Sequence, residues 1–121
     1  MGKQKKILCI DDEQINLLIL EKILGKKYNI ITALSGAKAL DILNKDSEIE
    51  LIITDMSMPE MNGLEFIKEA NKQFENKKFF MFSGYAITEE IQEAIDENLI
   101  LDYFQKPANF EAMDQSLSQH I

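Results

Sequence analysis

The chain alternates short apolar runs with longer segments in which apolar residues recur every three or four positions. Such runs predict β-strands, and there are five of them, at residues 7–10, 28–33, 51–54, 79–82 and 100–104. The longer segments predict helices over residues 14–24, 36–44, 64–74 and 89–97 and from residue 110 onward. Runs that are apolar throughout indicate strands buried on both faces of a sheet. The alternation therefore predicts an α/β fold, a parallel sheet with helices on both sides.

Several residues at the predicted boundaries are typical helix caps. Ser35, Thr88 and Asn109 each precede a predicted helix, and their side chains can accept a hydrogen bond from the first turn. Gly25 follows the first helix, where glycine commonly ends a helix. Asn98 follows the fourth helix and tolerates the left-handed conformation that also ends helices.

Length and charge restrict what the chain can be. With 121 residues, of which 45% are hydrophobic, we expect one domain over residues 1–121. The net charge of −8 argues against direct binding of nucleic acid, which needs a basic face, and against docking on an anionic membrane. The sequence has no apolar run long enough for a membrane-spanning helix and no signal peptide, so we expect a cytoplasmic protein. The lone Cys9 lies in an apolar run and is expected to be a buried core residue.

Polar residues follow four of the five predicted strands. Asp11 and Asp12 follow the first, Asp55 the third and Ser83 the fourth, and Lys106 comes just after the fifth. Taken singly, an aspartate here can be a turn former and Lys106 a surface lysine. Because sites in open parallel sheets form at the carboxyl ends of the strands, the joint pattern instead predicts that all five side chains meet.

These residue types suit phosphoryl transfer to a carboxylate. Three neighbouring carboxylates repel one another, and Mg²⁺, which prefers oxygen ligands, relieves that repulsion and recruits a phosphate. A carboxylate can then act as the nucleophile. Ser83 can donate a hydrogen bond to a phosphoryl oxygen, and Lys106 can place a positive charge against another. Gly84 has no side chain and leaves room for the group.

The chain resembles the receiver domains of two-component response regulators. The resemblance spans essentially its whole length and rests on four motifs at strand ends: ILCIDDE (7–13), IITDMSMPEMNG (52–63), MFSG (81–84) and YFQKP (103–107). It implies a flavodoxin-like (βα)₅ doubly wound sandwich with strand order 2-1-3-4-5. It also implies a switch in a His-to-Asp phosphorelay, phosphorylated by a histidine kinase or a histidine phosphotransfer protein, with a downstream effector that the sequence does not identify.

The resemblance also implies a role for each site residue. Asp55 would be the phosphoacceptor, and Ser83 and Lys106 would bind the phosphoryl group. Mg²⁺ would be held by three carboxylates and one backbone carbonyl, those of Asp11, Asp12, Asp55 and Ser57. The Lys106–Pro107 peptide bond would be cis. Tyr103 would change rotamer as Ser83 moves toward the phosphoryl group, although an aromatic on an edge strand needs no such role.

Two predicted helices bear on partners. In the first, residues 16, 19, 20 and 23 are expected to form the buried stripe, which leaves Ile15 and Leu18 either as a docking patch or covered by the last helix. The resemblance implies that this helix contacts the histidine-bearing partner. The fourth helix is strongly acidic and is either a solvated face or a surface for a basic partner. Tyr85 lies two residues after Ser83 and is expected close to the site.

Two other functions are compatible with parts of this pattern. A Mg²⁺-dependent aspartyl-phosphate phosphohydrolase also uses an aspartate nucleophile, but its signature separates nucleophile and acid by two residues, whereas Asp11 and Asp12 are adjacent. A binding module that has lost phosphorylation is disfavoured because Asp55 and Lys106 are both present. His120, the single histidine, lies far from every motif and is not expected to act in the site. We therefore expect a switch domain rather than an enzyme.

Overall fold

Five strands and five helices alternate in the computed structural model, which describes residues 4–121. The first three residues of the basic N-terminal segment lie outside this range. The strands are β1 (Lys6–Ile10), β2 (Asn29–Ala33), β3 (Leu51–Thr54), β4 (Lys78–Ser83) and β5 (Asp102–Gln105). The helices are α1 (Gln14–Leu24), α2 (Gly36–Lys45), α3 (Gly63–Gln73), α4 (Glu89–Asp96) and α5 (Phe110–Ser118).

The strands form one parallel sheet in the order β2-β1-β3-β4-β5, so the predicted fold and strand order are confirmed. β1 pairs with β3 from Ile7 opposite Leu51 to Ile10 opposite Thr54. This register brings the carboxyl ends of the two strands level. Residues that follow β1 and β3 therefore start from neighbouring points at one edge of the sheet.

Two apolar cores lie on opposite faces of the sheet. One packs the inward residues of α2, α3 and α4 against the sheet, with Phe66 and Phe79 in edge-to-face contact. The other packs α1 and α5 on the opposite face and includes Cys9. Cys9 is fully buried, as predicted, and burial raises the pKa of its thiol to about 12. Both faces are covered, which explains why the strand sequences are apolar throughout.

Side-chain caps fix where the helices begin. Ser35, Thr88 and Asn109 accept hydrogen bonds from backbone N–H groups of α2, α4 and α5, as predicted. Asn62 and Glu65 form a reciprocal capping box at the start of α3, which orients the chain as it leaves the loop after Asp55. This box starts α3 at residue 63 rather than at the predicted residue 64.

The predicted start of the fifth strand is wrong by two residues. Asn98 adopts φ of 61°, and the amides of Leu99 and Ile100 bond back to the carbonyl of Ala94. These two amides are used to close α4, so they cannot join the sheet. Pairing resumes at Leu101, whose N–H donates to the Phe79 carbonyl, and β5 begins at residue 102.

The predicted buried stripe of α1, residues 16, 19, 20 and 23, is correct at Leu20 and wrong at Ile19. The buried residues are Leu17, Leu20 and Leu24, whereas Ile19 is 43% exposed. The buried side of α1 faces both β1 and α5. Because apolar residues occur on every side of this helix, the sequence does not show which side is buried. Ile15 and Leu18, at 60% and 50% exposed, are not covered by α5.

Candidate functional site

Three carboxylates meet at the carboxyl edge of the sheet. Asp11 and Asp12 follow β1 and Asp55 follows β3, and one carboxylate oxygen from each lies within 4.8 Å of the other two. Asp11 is 1% exposed and Asp55 7%, whereas Asp12 is exposed. Glu13 donates its N–H to Asp11 Oδ1 at 2.9 Å, which fixes the turn that ends β1. The two buried carboxylates are thus held by the backbone, and the exposed one faces solvent.

Lys106 completes the cluster. Its Nζ lies 3.0 Å from Asp11 Oδ2 and 3.5 Å from Asp55 Oδ1. The Lys106 N–H donates to the Ser83 carbonyl, which continues the pairing of β5 with β4, and the Lys106–Pro107 peptide bond is cis. The ammonium group also lies 5.4 Å from the centre of the Phe82 ring. Backbone pairing, an aromatic face and two carboxylates therefore hold this cation in the site.

The electrostatic setting makes Asp55 hard to ionise and Lys106 hard to deprotonate. Burial, and then the negative charge of Asp11, raise the pKa of Asp55 despite the opposing effect of Lys106. Burial lowers the pKa of Lys106, but the bonds to Asp11 and Asp55 outweigh it and the net shift is upward. A second positive charge at this point would therefore be favourable, because one lysine does not balance three carboxylates.

The loop after Asp55 is tied back under the site. The Asp55 N–H donates to the Ile10 carbonyl at 2.8 Å, and Met56 N–H donates to Asp55 Oδ1 at 2.9 Å. Gly63 N–H donates to the Met56 carbonyl, and a Cβ on Gly63 would lie 2.1 Å from the Asp55 carbonyl oxygen. Only glycine allows α3 to begin this close to the loop that follows Asp55.

An open cleft of about 500 Å³ lies over the carboxylates of Asp12 and Asp55. Asp12, Asp55, Ser57 and Lys106 line it, as do four residues from neighbouring loops and from α1: Glu13, Asn16, Gly84 and Tyr85. No heavy atom outside its immediate chain neighbours comes within 4 Å of a Cβ built on Gly84. The cleft thus has free space on the side where β4 ends.

Ser83 lies behind the cleft wall rather than on it. Its side chain is fully buried, and its Oγ accepts a hydrogen bond from Tyr85 N–H at 3.3 Å. Tyr103, on β5, donates its hydroxyl hydrogen bond to the Tyr85 carbonyl. The predicted switch residues are therefore brought together through the backbone of Tyr85, and within residues 4–121 Ser83 forms no hydrogen bond to Asp55.

Two contributors to the site were not anticipated from the sequence. Met56 supplies a backbone N–H, which any residue except proline carries. Phe82 supplies a ring face under Lys106, and in the sequence it is indistinguishable from the other core phenylalanines. His120 lies elsewhere: its ring packs 5.5 Å from that of Phe80, and its carbonyl accepts a bond from Lys78, which begins β4 at the opposite edge of the sheet.

The donor set suits a hard divalent cation. Carboxylate oxygens with open space above them are the ligands Mg²⁺ selects when it retains waters and shares a phosphate. A parallel α/β sheet with an acidic pocket and a fixed lysine at its carboxyl edge defines a class of phosphoryl-accepting domains. Comparison with known proteins identifies the family within that class.

The sequence model of the response regulator receiver domain family matches residues 7–118 of the chain. The chain therefore belongs to this family. It is 29% identical over 118 residues to sporulation initiation phosphotransferase F of Bacillus subtilis, covering 97% of this chain and 94% of that protein. A chemotaxis protein CheY homolog of Campylobacter jejuni is 29% identical over 93% of this chain and 88% of its own. The receiver domain structure from Clostridium thermocellum matches with a TM-score of 0.87 at 26% identity, covering 96% and 93% of the two chains.

The chain is thus a receiver domain of the two-component response regulators, a class of phosphoacceptor signalling domains. This assignment agrees with the resemblance in the sequence motifs and does not favour the phosphohydrolase. Among residues 4–121, no helix is long and apolar enough to span a bilayer.

Proposed function

We propose that Asp55 is the phosphoacceptor. The observation that carries the proposal is the approach of Asp11, Asp12 and Lys106 to Asp55 beneath an open cleft. An ionised Asp55 oxygen attacks the phosphorus of a phosphohistidine, the new O–P bond forms as the P–N bond breaks, and the imidazole leaves with the electron pair. The nucleophile needs no general base because it reacts as the carboxylate.

Mg²⁺ is the proposed cofactor. Asp11, Asp12 and Asp55 would hold it through carboxylate oxygens, and Ser57, which lines the same cleft, through its backbone carbonyl. When bound, the ion supplies positive charge that offsets the negative charge on the transferring phosphoryl oxygens. Asp12 is the exposed ligand, which leaves room for waters and a phosphate oxygen on its side of the cleft.

Ser83 and Lys106 are the proposed phosphoryl-binding residues, and Tyr103 the residue that reports the modification. Lys106 already faces Asp55 and would pair with a phosphoryl oxygen. Ser83 would have to exchange the Tyr85 N–H for the phosphoryl group, which shifts the backbone of Tyr85. Since Tyr103 bonds to the Tyr85 carbonyl, the same shift would bias the position of Tyr103, a population shift between two arrangements.

The phosphodonor is proposed to be a histidine kinase or a histidine phosphotransfer protein that docks on α1. Ile15, Leu18 and Ile19 are exposed, and Asn16, on the same helix, lines the cleft over Asp55. A partner packed on these three side chains would therefore have its histidine close to the phosphoacceptor. We further propose that the domain acts in the cytoplasm as a switch, without turnover of small phosphate esters.

The decisive experiment compares the wild type with Asp55→Asn. Both are incubated with Mg²⁺ and acetyl phosphate, and intact mass is measured; beryllofluoride binding is followed by amide chemical shifts. The wild type should gain one phosphoryl group that hydroxylamine removes, and the variant none. Modification that persists in the variant would place the phosphoacceptor elsewhere. Sustained hydrolysis of phosphate esters by the wild type would favour the phosphohydrolase instead.

A further inference from the structure

One residue pair in the loop after Asp55 is chemically labile. The chain has eight asparagines, and only Asn62 is followed by glycine. An asparagine deamidates when the backbone nitrogen of the next residue attacks the carbonyl carbon of its side chain. Glycine permits this attack best, because it has no side chain in the way and its backbone turns freely. Asn62 and Gly63 are therefore the pair in this sequence that is most prone to the reaction.

The fold holds both reacting groups of this pair. The Gly63 N–H donates to the Met56 carbonyl at 2.8 Å, which keeps the nitrogen from losing its proton and turning toward the Asn62 side chain. Asn62 Oδ1 accepts the Glu65 N–H at 2.8 Å, and Glu65 Oε1 accepts the Asn62 N–H at 2.9 Å. These two bonds are the capping box of α3. Gly63 is also buried, so solvent base does not reach its nitrogen.

The first turn of α3 is nevertheless the part of this helix that opens at the lowest cost. Asn62 is partly exposed and Glu65 is exposed, whereas Phe66 and Ile67 are fully buried. Glu60, two residues before Asn62, has a φ of 68°, a conformation that is unfavourable for a residue with a side chain. Surface hydrogen bonds at a helix end open more often than the buried core does. Such an opening frees both reacting groups while the core stays folded.

We propose that Asn62 is a deamidation site and that the capping box sets the rate of the reaction. When the box opens, the Gly63 nitrogen loses its proton to solvent base and attacks Asn62 Cγ. The new N–C bond forms, the bond from Cγ to the side-chain nitrogen breaks, and ammonia leaves with the electron pair and a proton from water. Water then adds to either carbonyl of the resulting cyclic imide and opens the ring. The product is aspartate or isoaspartate at position 62.

The two products have opposite effects on the start of α3. Aspartate keeps a capping oxygen and adds a negative charge at the N-terminus of the helix, which is favourable. Isoaspartate routes the backbone through the side-chain carbon and so adds one atom between positions 62 and 63. A Cβ on Gly63 would already lie 2.1 Å from the Asp55 carbonyl oxygen, so the longer backbone has little room beside the loop. The isoaspartate form should therefore lose the capping box.

The first test compares the full chain with a peptide of residues 57–68, in which the capping box is not held by a core. Both are aged without Mg²⁺ at mildly alkaline pH. Peptide mapping by mass spectrometry locates each conversion of amide to acid, and isoaspartyl methyltransferase measures isoaspartate. The peptide should convert at least about tenfold faster than the folded chain. In the full chain, conversion should begin at position 62.

Variants of α3 separate the capping box from general helix stability. Glu65→Ala removes one bond of the box and should speed conversion about two- to fivefold, because the turn opens more often. Glu65→Gln keeps an acceptor and should restore a rate close to that of the wild type. Glu69→Ala is the matched control: it removes the same charge one turn further on, where Glu69 accepts a bond from Gln73, and should change the rate less than about twofold. Circular dichroism establishes that each variant is folded.

The stability of the products is the second test. Ion exchange separates the deamidated chain from the unmodified one, and Asn62→Asp supplies the pure aspartate form. The Tm of Asn62→Asp should equal or exceed that of the wild type. The deamidated fraction, which contains isoaspartate, should melt at least about 2 °C lower than Asn62→Asp. Asn62→Ser keeps a capping oxygen but has no amide, and should show no conversion at this position.

Four results would overturn the proposal. These are equal rates in the folded chain and the peptide, equal effects of Glu65→Ala and Glu69→Ala, conversion of another asparagine before position 62, and a deamidated fraction as stable as Asn62→Asp. Failure of Asp55 to accept a phosphoryl group would leave the proposal intact, because every measurement uses the unphosphorylated chain without Mg²⁺.

Discussion

Asp55, the proposed phosphoacceptor, illustrates how a residue suited to function can oppose folding. It is buried, close to Asp11, and its pKa is raised first by burial and then by that neighbour. Between the ordinary pKa of 3.8 and the higher folded value, the native chain binds more protons than the unfolded chain. Stability is therefore lost as pH rises through this window, and at neutral pH the ionised carboxylate destabilises the fold.

Asp55→Asn should accordingly stabilise the chain. In the presence of a chelator at pH 7, we expect the Tm of the variant to exceed that of the wild type by about 2 to 5 °C, the effect of roughly 1 kcal/mol in a domain of this size. The difference should shrink as pH falls, because both chains are then neutral at this position. Thermal unfolding followed by circular dichroism between pH 7 and pH 4 checks both statements; a variant less stable at pH 7 contradicts them.

Adding Mg²⁺ to the same thermal unfolding experiment should shift the difference in Tm between the two chains in favour of the wild type. A ligand that binds only the native state raises Tm with its concentration, so the wild type should gain stability and the variant less. Equal gains would mean that the ion binds away from Asp55.

Two glycines near the site differ in the space available for a side chain. A Cβ on Gly63 would lie 2.1 Å from the Asp55 carbonyl oxygen, whereas one on Gly84 meets no such atom within 4 Å. Gly63→Ala should therefore cost about 1 to 3 kcal/mol and slow phosphorylation by displacing the loop. Gly84→Ala should change stability by less than about 0.5 kcal/mol. Urea unfolding of the two variants measures both values, and similar losses would contradict the difference in packing.

At the scale of elements, periodicity and caps predicted most of the fold. Polar caps such as Ser35 and Thr88 are visible in the sequence because each acts locally. The side on which α1 packs was not predictable, since Ile15, Leu18 and Ile19 are as apolar as the leucines that are buried. The start of β5 was missed because Leu99 and Ile100 have strand-like side chains while their amides close α4.

The site was predictable to the extent that strand order decides it. Residues that end neighbouring parallel strands must meet, so Asp11, Asp55 and Lys106 could be grouped from the sequence. The position of Ser83 behind the cleft wall and the ring of Phe82 under Lys106 could not be predicted. Both depend on side-chain rotamers and loop paths that only the packed structure determines.

The C-terminus of α4 is unfavourable for stability. No basic residue lies in its last turn, and Asp96 and Glu97 face the negative end of the helix dipole. Glu97→Lys replaces repulsion from Glu93 with attraction at i, i+4, and should stabilise the chain by about 0.5 to 1 kcal/mol. Glu89→Lys lies at the opposite end of the same helix, where the dipole favours a negative charge. It should therefore raise the free energy of unfolding less than Glu97→Lys does. Urea unfolding at low salt compares them; the reverse order would contradict the dipole argument.

Across the whole molecule, the carboxyl and amino edges of the sheet carry different arrangements of charge. The carboxyl edge holds the acidic site, where three carboxylates lie close together. At the amino edge, lysines are paired: Lys6 with Asp46 at 2.7 Å and Lys27 with Asp114 at 2.9 Å. Tyr28, just before β2, donates its hydroxyl hydrogen bond to Asp114 of α5 at 2.6 Å. The amino edge thus joins α5 to the sheet at the end away from the site.

This separation predicts a variant that weakens the fold but leaves the chemistry intact. Tyr28→Phe removes a bond to a charged, half-buried carboxylate and should cost about 1 to 3 kcal/mol, measured by urea unfolding at pH 7. The rate of phosphorylation by acetyl phosphate should be unchanged, because Asp55 lies at the opposite edge. Tyr85→Phe, which alters an exposed tyrosine, is the matched control and should leave stability unchanged.

The pH dependence of that loss follows from Asp114. Its pKa is lowered first by the bond from Tyr28 and next by that from Lys27. A carboxyl whose folded pKa is depressed stabilises the fold above its unfolded pKa, and that contribution is lost as pH falls through the folded value. The stability difference between wild type and Tyr28→Phe should therefore narrow below about pH 4. A difference that stays constant from pH 7 to pH 3 would show that the tyrosine acts through packing rather than through the charged hydrogen bond.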